Sequence, residues 1–240
     1  MTEQSRHRPR MSAEHAERIR RWHENAYRAA TEEGAEELTF AYLSRTIVVP
    51  PGVQPITGMS HLLGEAVLAE VKEGDRVLDM GTGSGVNAVL AASKAAEVLA
   101  VDVDPRAVEA ARRNAERNGV QVEVRVSDVF SAVEGVFDLI VFDPPFRWFA
   151  PRDPFEAATT DEDYRAMTAF FRDVRGHLAP DGRMLVFFGT SGDLEHLRSL
   201  ARAAGFGAEV VAHRDLDKEG WRVDYYTFLM RWVTPGGELD

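Results

Sequence analysis

The hydrophobic pattern of the first fifty residues predicts a helix followed by a β extension. Residues 12–33 contain neither proline nor glycine, as expected for an uninterrupted helix. Its apolar positions recur at helical spacing: Ile19, Trp22, Ala26 and Ala29. The segment 38–49 is rich in β-forming residues and ends at Pro50-Pro51-Gly52. We therefore treat residues 1–58 as an N-terminal region of one helix and a short β structure, which would act as a lid or as part of an acceptor site.

From residue 59 onward, apolar strand-like runs alternate with amphipathic helical runs. This alternation is typical of parallel βαβ units. The pattern predicts seven strands, at about 76–80, 98–103, 120–126, 137–142, 183–188, 208–212 and 223–232. It also predicts a helix at about 161–178. We expect an α/β fold with a doubly wound, mostly parallel sheet, and we assign residues 59–240 to one catalytic domain.

The composition is that of an ordinary soluble globular protein, with 45% hydrophobic and 28% charged residues among 240. The chain has no cysteine, which excludes disulfides, thiolate metal sites and cysteine nucleophiles. The seven histidines show no metal-ligand spacing, so we expect no metal. No run has the length and apolarity of a secretory signal or a membrane span, so we expect a cytoplasmic protein without a membrane partner.

The charge is strongly negative overall but unevenly distributed. A formal net charge of -11 disfavours broad adhesion to phosphate backbones, because such adhesion depends on lysine and arginine. Residues 1–30, however, hold seven arginines against four glutamates. The N-terminus is therefore either a basic arm or a solvated tail followed by a surface helix.

A glycine-rich turn follows the first predicted strand, in the run Gly81-Thr82-Gly83-Ser84-Gly85. Glycines permit positive φ and let a ligand approach the backbone, although such a turn can also be purely structural. Asp102 ends the next strand about 20 residues later, where a carboxylate can bind both ribose hydroxyls. Asp128 closes the third strand and can accept a hydrogen bond from an adenine amino group, with Val129 beside the ring. Together these residues predict an adenosine site.

The residues around the turn favour a cationic adenosine compound over a dinucleotide. The dinucleotide fingerprint needs glycine at the sixth position of the loop, where this chain has Val86. Asp79 adds a carboxylate that suits an ammonium group and opposes a pyrophosphate. We therefore predict S-adenosyl-L-methionine as the cofactor. The predicted cofactor-binding residues are Asp79, Gly81, Thr82, Gly83, Gly85, Asp102, Val103, Asp128 and Val129.

Further segments resemble the catalytic core of class I S-adenosylmethionine-dependent methyltransferases, over roughly residues 47–189. The resemblance is carried by Asp102-Val103-Asp104-Pro105, Asn114-Ala115, Phe137-Asp138-Leu139-Ile140-Val141 and Asp143-Pro144-Pro145-Phe146. More narrowly, the chain is similar to the branch that contains the protein-glutamine methyltransferases of release factors and the "small domain" methylases of ribosomal RNA guanine. The resemblance implies a Rossmann-like, seven-stranded sheet in the methyltransferase strand order with an antiparallel last strand.

The tetrapeptide 143–146 is the predicted catalytic motif, formed by Asp143, Pro144, Pro145 and Phe146. The resemblance implies that this motif grips a planar NH2 group. The Asp143 carboxylate and the Pro144 carbonyl would accept the two hydrogens while Phe146 stacks on the flat group. The two prolines cannot donate backbone hydrogen bonds and hold the chain extended. We expect an N-methyltransferase.

The sequence alone does not identify the methyl acceptor. The glutamine methyltransferases have asparagine where this chain has Asp143, and their N-terminal helical domain is absent here. Aspartate at that position occurs in adenine-N6 and guanine-N2 methylases. The acceptor is therefore a protein glutamine, an exocyclic amine of a nucleobase, or a small molecule of specialised metabolism, and the oligomeric state is open.

The sequence leaves the structure of one loop open, and two functions other than N-methylation are considered. Residues 146–155, with Trp148 and Phe149, form either an aromatic wall for the acceptor or a packed hydrophobic loop. A scaffold protein could keep the cofactor fold without turnover, which the intact Asp143 disfavours. A nicotinamide dehydrogenase is disfavoured by Val86.

Overall fold

The strands and helices succeed one another as the alternating pattern predicts. The computed structural model describes residues 7–33, 36–218 and 220–233. The elements there are α1 (Ala13–Glu33), β1 (Leu38–Tyr42), β2 (Arg45–Val49), α2 (Ser60–Glu70), β3 (Arg76–Met80), α3 (Val86–Ala91), β4 (Glu97–Asp102), α4 (Pro105–Arg117), β5 (Glu123–Val126), β6 (Phe137–Phe142), α5 (Pro154–Ala157), α6 (Arg165–Asp173), β7 (Leu178–Gly189), α7 (Leu194–Ala203), β8 (Phe206–Lys218) and β9 (Trp221–Trp232).

Seven of these strands form one sheet in the order β5-β4-β3-β6-β7-β9-β8. Strands β3 to β7 run parallel to their neighbours, whereas β9 is antiparallel to both β7 and β8. The predicted seven-stranded sheet with an antiparallel last strand is thereby confirmed. The strand order reverses between β3 and β6, and ligands of open α/β sheets bind outside the carboxyl ends of the strands at such a point.

The two strands at this reversal are apolar on both faces. β3 pairs with β6 through Val77 opposite Leu139 and Leu78 opposite Ile140, and all four side chains are fully buried. A strand covered on both sides by helices needs such a continuous apolar run. The rigid centre of the sheet therefore presents the loops at residues 81 and 143 side by side.

A buried ion pair lies at the opposite, amino-terminal end of the central strands. The guanidinium of Arg183 lies 2.7 Å from the Asp75 carboxylate and donates to the Asp138 carbonyl at 3.1 Å. It also contacts Glu70, whose carboxylate lies 3.3 Å away. Arg183 and Asp75 are both buried, so each charge depends on the other.

The predicted helix at 161–178 is wrong in its extent. The α-helix covers only Arg165–Asp173, and short 3₁₀ turns flank it at Glu162–Tyr164 and Val174–Gly176. Asp163 and Tyr164 have positive φ, which an α-helix does not admit. Strand β7 begins at Leu178 and not at Arg183, because Leu178 pairs with Phe137 of β6.

The N-terminal region packs onto the sheet domain. β1 and β2 form an antiparallel hairpin. The fully buried Asn114 of α4 joins it to the glycine loop, since its side-chain amide bonds both the N–H and the carbonyl of Val48 and donates to the Ser84 carbonyl. Helix α1 is docked through Ile19, which is fully buried. Of the two interpretations of the N-terminus, a basic arm or a tail followed by a surface helix, the structure has a docked helix over Ala13–Glu33, while residues 1–6 lie outside the described part.

Candidate active site

The glycine loop combines open glycines with one tightly packed glycine. Gly81, Gly83 and Gly85 have φ of +70°, +54° and +83°. A Cβ atom on Gly81 or Gly83 would meet nothing within 4 Å, whereas one on Gly85 would lie 2.8 Å from the Cα of Ala111 in α4. Gly81 and Gly83 therefore leave room for a ligand at the backbone, and Gly85 allows α4 to pack against the loop.

Asp79 stabilises this loop through side-chain hydrogen bonds. Its side chain is 2% exposed, and Oδ2 accepts hydrogen bonds from the Thr82 hydroxyl and, at 3.0 Å, from the Ala88 N–H. Burial raises the pKa of this carboxyl to about 6, against the lowering effect of these two donors. A nearby cation would favour its charged form. Direct contact between Asp79 and an ammonium group stays a prediction.

Asp102 joins the end of β4 to the loop. Its Oδ2 accepts the Gly83 N–H at 2.9 Å, and its Oδ1 accepts the Asp104 N–H at 3.0 Å. Burial raises the pKa of Asp102 despite these donors. Asp104 itself caps α4 by accepting the Arg106 N–H, with Pro105 at the first helical position. Asp102 is thus held at the loop, and Asp104 has a structural role.

The ends of β4 and β5 expose the predicted adenine-binding residues. Val103 is 63% exposed, although valine is usually buried. Asp128 is exposed, and the adjoining Val129 has a φ of +49°, a strained conformation for a β-branched residue. The Ser127 hydroxyl donates to the Val129 carbonyl at 2.8 Å, and the Ser131 hydroxyl accepts the Asp128 N–H. These two hydroxyl groups therefore stabilise the turn.

The residues present fit an adenosyl group with a positive charge. The open backbone at Gly81 and Gly83 gives a ligand room, and the Asp102 carboxylate ends the neighbouring strand. Asp79 and Asp143 place two further carboxylates at the same edge of the sheet, because β3 and β6 are parallel neighbours. Such an acidic edge attracts a sulfonium or ammonium group and repels a pyrophosphate.

Asp143 follows β6 directly and is solvent-exposed, yet protein atoms surround it closely. Burial raises the pKa of its carboxyl to about 7, with the negative charge of Asp79 adding to the effect and the positive charge of Arg147 opposing it. A carboxyl that is accessible to solvent and still enclosed lies inside a cleft. Perturbed carboxyls in clefts are typical of catalytic positions.

The other motif residues are more enclosed. Pro144 is buried and Pro145 is half-buried. Phe146 is 7% exposed, and its ring centroid lies 4.6 Å from that of Phe188 and 6.1 Å from that of Tyr225. Most of the Phe146 ring is thus covered by the aromatic residues of β7 and β9, and its stacking on an acceptor stays a prediction.

Helix α1 lies across the segment that follows the motif. His23 Nε2 is 2.8 Å from the Glu156 carboxylate, and both side chains are buried. Tyr27 donates to the Asp153 carboxylate, and the Arg20 guanidinium lies 4.9 Å from the centroid of the Phe149 ring. The helix is therefore attached to the segment that follows the motif, and its role as a lid or acceptor-site element stays a prediction.

A second attachment lies just before α1 begins. The buried Asp193 carboxylate accepts the Arg10 N–H at 2.7 Å and lies 3.0 Å from His7 Nε2. Within α1, His15 Nε2 is 3.1 Å from the carbonyl of Thr190, which follows β7. The N-terminal segment is thus fixed to the carboxyl-end edge of the sheet at two separate places.

The comparison with known protein families decides the broad class. Residues 56–214 match the methyltransferase small domain family, which is more than half of the chain. The chain belongs to this family. This membership confirms the predicted resemblance, the methyltransferase class and S-adenosylmethionine as the cofactor.

Individual relatives resemble only part of this methyltransferase chain. The ribosomal protein L11 methyltransferase of Thermotoga neapolitana is 48% identical over 100 residues, covering 41% of this chain and 37% of that protein. That of Symbiobacterium thermophilum is 57% identical over 72 residues, covering 30% and 24%. The chain thus aligns with about a quarter to a little more than a third of the length of these two curated relatives.

Solved structures confirm the fold of the methyltransferase domain. The T. thermophilus 16S rRNA N2 G1207 methyltransferase, solved with AdoMet and guanosine, has a TM-score of 0.58 at 23% identity, covering 82% of this chain and 50% of that one. The ribosomal protein L11 methylase of Lactobacillus delbrueckii has a TM-score of 0.56 at 20% identity, covering 75% and 82%.

The methyltransferase structure also places two residues near the site that sequence reasoning missed. Tyr42 of the hairpin has a buried hydroxyl without a hydrogen-bond partner among the described residues. Burial raises its pKa, and the charges of Glu65 and Asp143 raise it further. The other is Arg147, a single cation within an apolar aromatic run, which was the available sequence signal. Trp148 is 4% exposed, so this part of the aromatic run is packed.

Within the described ranges, no group of three or more histidine, aspartate or glutamate side chains is arranged to hold a metal ion. Nor does any helix traced in the structure combine the length and apolarity needed to cross a bilayer.

Proposed function

We propose that the chain is an S-adenosylmethionine-dependent N-methyltransferase that acts on a planar NH2 group. The observation that carries this proposal is the position of Asp143. It follows β6 at the point where the strand order reverses, next to the loop with the two open glycines. A carboxylate there can hold an amine beside the cofactor.

When bound, S-adenosylmethionine supplies a methyl group on a positively charged sulfur. Asp102 and the backbone of Gly81 and Gly83 would hold the adenosyl part. The Asp143 carboxylate and the Pro144 carbonyl would accept the two N–H groups of the acceptor and so orient its nitrogen. Positioning of this kind is worth about 7–11 kcal/mol of barrier in favourable cases. The nitrogen gains the methyl group and loses one proton, which Asp143 is placed to accept.

The acceptor class is a proposal of its own. The relatives are named for ribosomal protein L11 and for guanosine in ribosomal RNA, and these would supply an amino or amide nitrogen to the cleft. A second candidate is a small-molecule acceptor. It is favoured by the docked α1, whose His23 and Tyr27 contact Glu156 and Asp153 in the segment that follows the motif.

Calorimetry tests the cofactor assignment. S-adenosylmethionine should bind the wild-type chain, and Asp102→Ala should weaken that binding by about 10-fold or more, the effect of losing a charged hydrogen-bond acceptor. Asp104→Ala is the matched control, because Asp104 caps α4 and pairs with Arg106. Equal affinity of the wild type and Asp102→Ala would contradict the assignment.

Transfer of labelled methyl groups into fractionated lysate tests the reaction. We expect label in one fraction of protein, nucleic acid or small molecules, and its loss in Asp143→Ala. Label on oxygen or carbon of the product, established by mass spectrometry, would refute N-methylation.

A further inference from the structure

Arg147 is a buried cation without a partner in the described part of the chain. The residue is only 9% exposed, and its Nε atom is buried without a hydrogen-bond partner. No carboxylate of the residues in the structure lies within ion-pair distance of it. Tyr225, Tyr164 and Asp143 act on it only through space, and together they partly offset the lowering of the Arg147 pKa by burial. A charge in this state is costly unless something pairs with it.

Two aromatic rings hold this guanidinium in place. Its Cζ lies 4.8 Å from the ring centroid of Trp22 in α1 and 5.7 Å from that of Phe146. Stacking on aromatic faces fixes the plane of a guanidinium and leaves its edge N–H groups available for a planar anion. Two aromatic residues therefore orient a cation that no residue in the described part of the chain neutralises.

The position of Arg147 is on the acceptor side of the cleft. Phe146, its neighbour, packs against Phe188 of β7 and Tyr225 of β9, whereas the glycine loop follows β3 on the other side of β6. Asp143 lies between them, because it follows β6, which stands between β3 and β7 in the sheet. An anion bound by Arg147 therefore belongs to the acceptor and not to the cofactor.

A cavity beside Trp22 is lined by two positively charged residues. It measures about 630 Å³ and is lined by Trp22, Trp221 and the two arginines Arg18 and Arg21 of α1. The rings of Trp22 and Trp221 meet edge to face at 5.9 Å. Trp22 therefore belongs both to this cavity and to the stack on Arg147, and arginines at the mouth raise the local concentration of anions.

We propose that Arg147 binds a carboxylate of the methyl acceptor, and that the acceptor is a small acid carrying a planar amine. This proposal rests on the N-methyltransferase function proposed above. The guanidinium binds the carboxylate at one end of the acceptor, and Asp143 accepts the amine hydrogens at the other. The docked α1 and the burial of Arg147 favour a small acceptor over a nucleic acid, whose backbone phosphates would have to reach a side chain that is nine-tenths covered.

Calorimetry on the full chain saturated with S-adenosylhomocysteine tests this assignment. The probes are 3-aminobenzoate and 4-aminobenzoate, two spacings of amine and carboxylate, and the matching neutral aminobenzamides. We expect at least one acid to bind with a Kd of about 1 mM or tighter and its amide about 10-fold to 100-fold more weakly, as for loss of a charged hydrogen bond.

Variants separate binding from folding. Arg147→Met should bind acid and amide equally weakly, and its thermal midpoint should be unchanged or raised, because it removes an unpaired buried charge. Arg147→Lys should keep part of the preference for the acid. Arg20→Met is the control, since Arg20 is an exposed arginine that lies on Trp148 and Phe149 of the same segment.

Three results would overturn the proposal: no binding of either acid, equal binding of acids and amides by the wild type, or an acid preference that survives in Arg147→Met. Competition by inorganic phosphate in place of the acids would assign the site to a phosphoryl group and also refute it. A failure of the proposed function itself is distinguishable, because the labelled-methyl assay would then put the label on oxygen or carbon, whereas the preference for the acid is measured by binding alone.

Discussion

Replacing single glycines of the loop by alanine separates folding from cofactor binding. In Gly85→Ala the new methyl group would lie 2.8 Å from the Cα of Ala111, in a backbone conformation with φ of +83°. The left-handed conformation costs about 1–2 kcal/mol for alanine. Crowding against a helix backbone adds about 1–3 kcal/mol. We expect Gly85→Ala to lose about 2–5 kcal/mol of the free energy of unfolding.

Gly83→Ala is the matched variant. Its φ of +54° is also left-handed, but the methyl group meets no protein atom within 4 Å. It should lose only the conformational cost of about 1–2 kcal/mol. The same methyl group lies where a ligand approaches the backbone, so affinity for S-adenosylmethionine should fall by more than about 10-fold, or about 1.4 kcal/mol.

Urea denaturation measures the first effect and calorimetry with S-adenosylmethionine the second. The reasoning would be refuted if Gly85→Ala were no less stable than Gly83→Ala. It would equally be refuted if Gly83→Ala bound the cofactor with wild-type affinity.

Two further predictions concern charges. Because burial and Asp79 raise the pKa of Asp143 to about 7, the carboxylate that accepts the amine hydrogens is lost as pH falls through about 7. The wild-type kcat/KM should decline below that pH, because kcat/KM follows ionisations of the free enzyme, whereas Asp143→Asn should be slow at every pH; a pH–rate profile of the variant that matches the wild type would contradict this role. Arg183→Met should lose about 3–5 kcal/mol of unfolding free energy in urea, because it leaves Asp75 buried without its cation. The double variant with Asp75→Asn should recover part of this loss, and a single variant as stable as the wild type would show that the pair is dispensable.

The cofactor side of the cleft was predictable from sequence because its signals are local. Glycines at 81 and 83 follow a strand directly, and Asp102 ends the next one, so the parallel register alone brings them together. Predicting this loop therefore requires no information about contacts between residues that are distant in the sequence. Asp143 was predicted from the family resemblance of residues 143–146, and the pairing of β6 with β3 brings it to the same edge of the sheet.

The acceptor side was not predictable, because its contacts are far apart along the chain. Arg147 lies on Trp22, and nothing in the spacing of either residue indicates the other. The broken helix near residue 164 has the same origin. The Tyr164 hydroxyl donates to the Phe146 carbonyl at 2.6 Å and accepts the Asp193 N–H at 2.7 Å, and these tertiary bonds accompany its positive φ.

The two attachments of the N-terminal segment limit the size of the acceptor that can enter the cleft. One end is held by Asp193 and the helix by Glu156, so the segment cannot swing about a single hinge. For a folded macromolecule to reach the cleft from this side, one of these attachments would have to detach first. Turnover on large acceptors would then depend on how often that detachment occurs, and turnover on small ones would not.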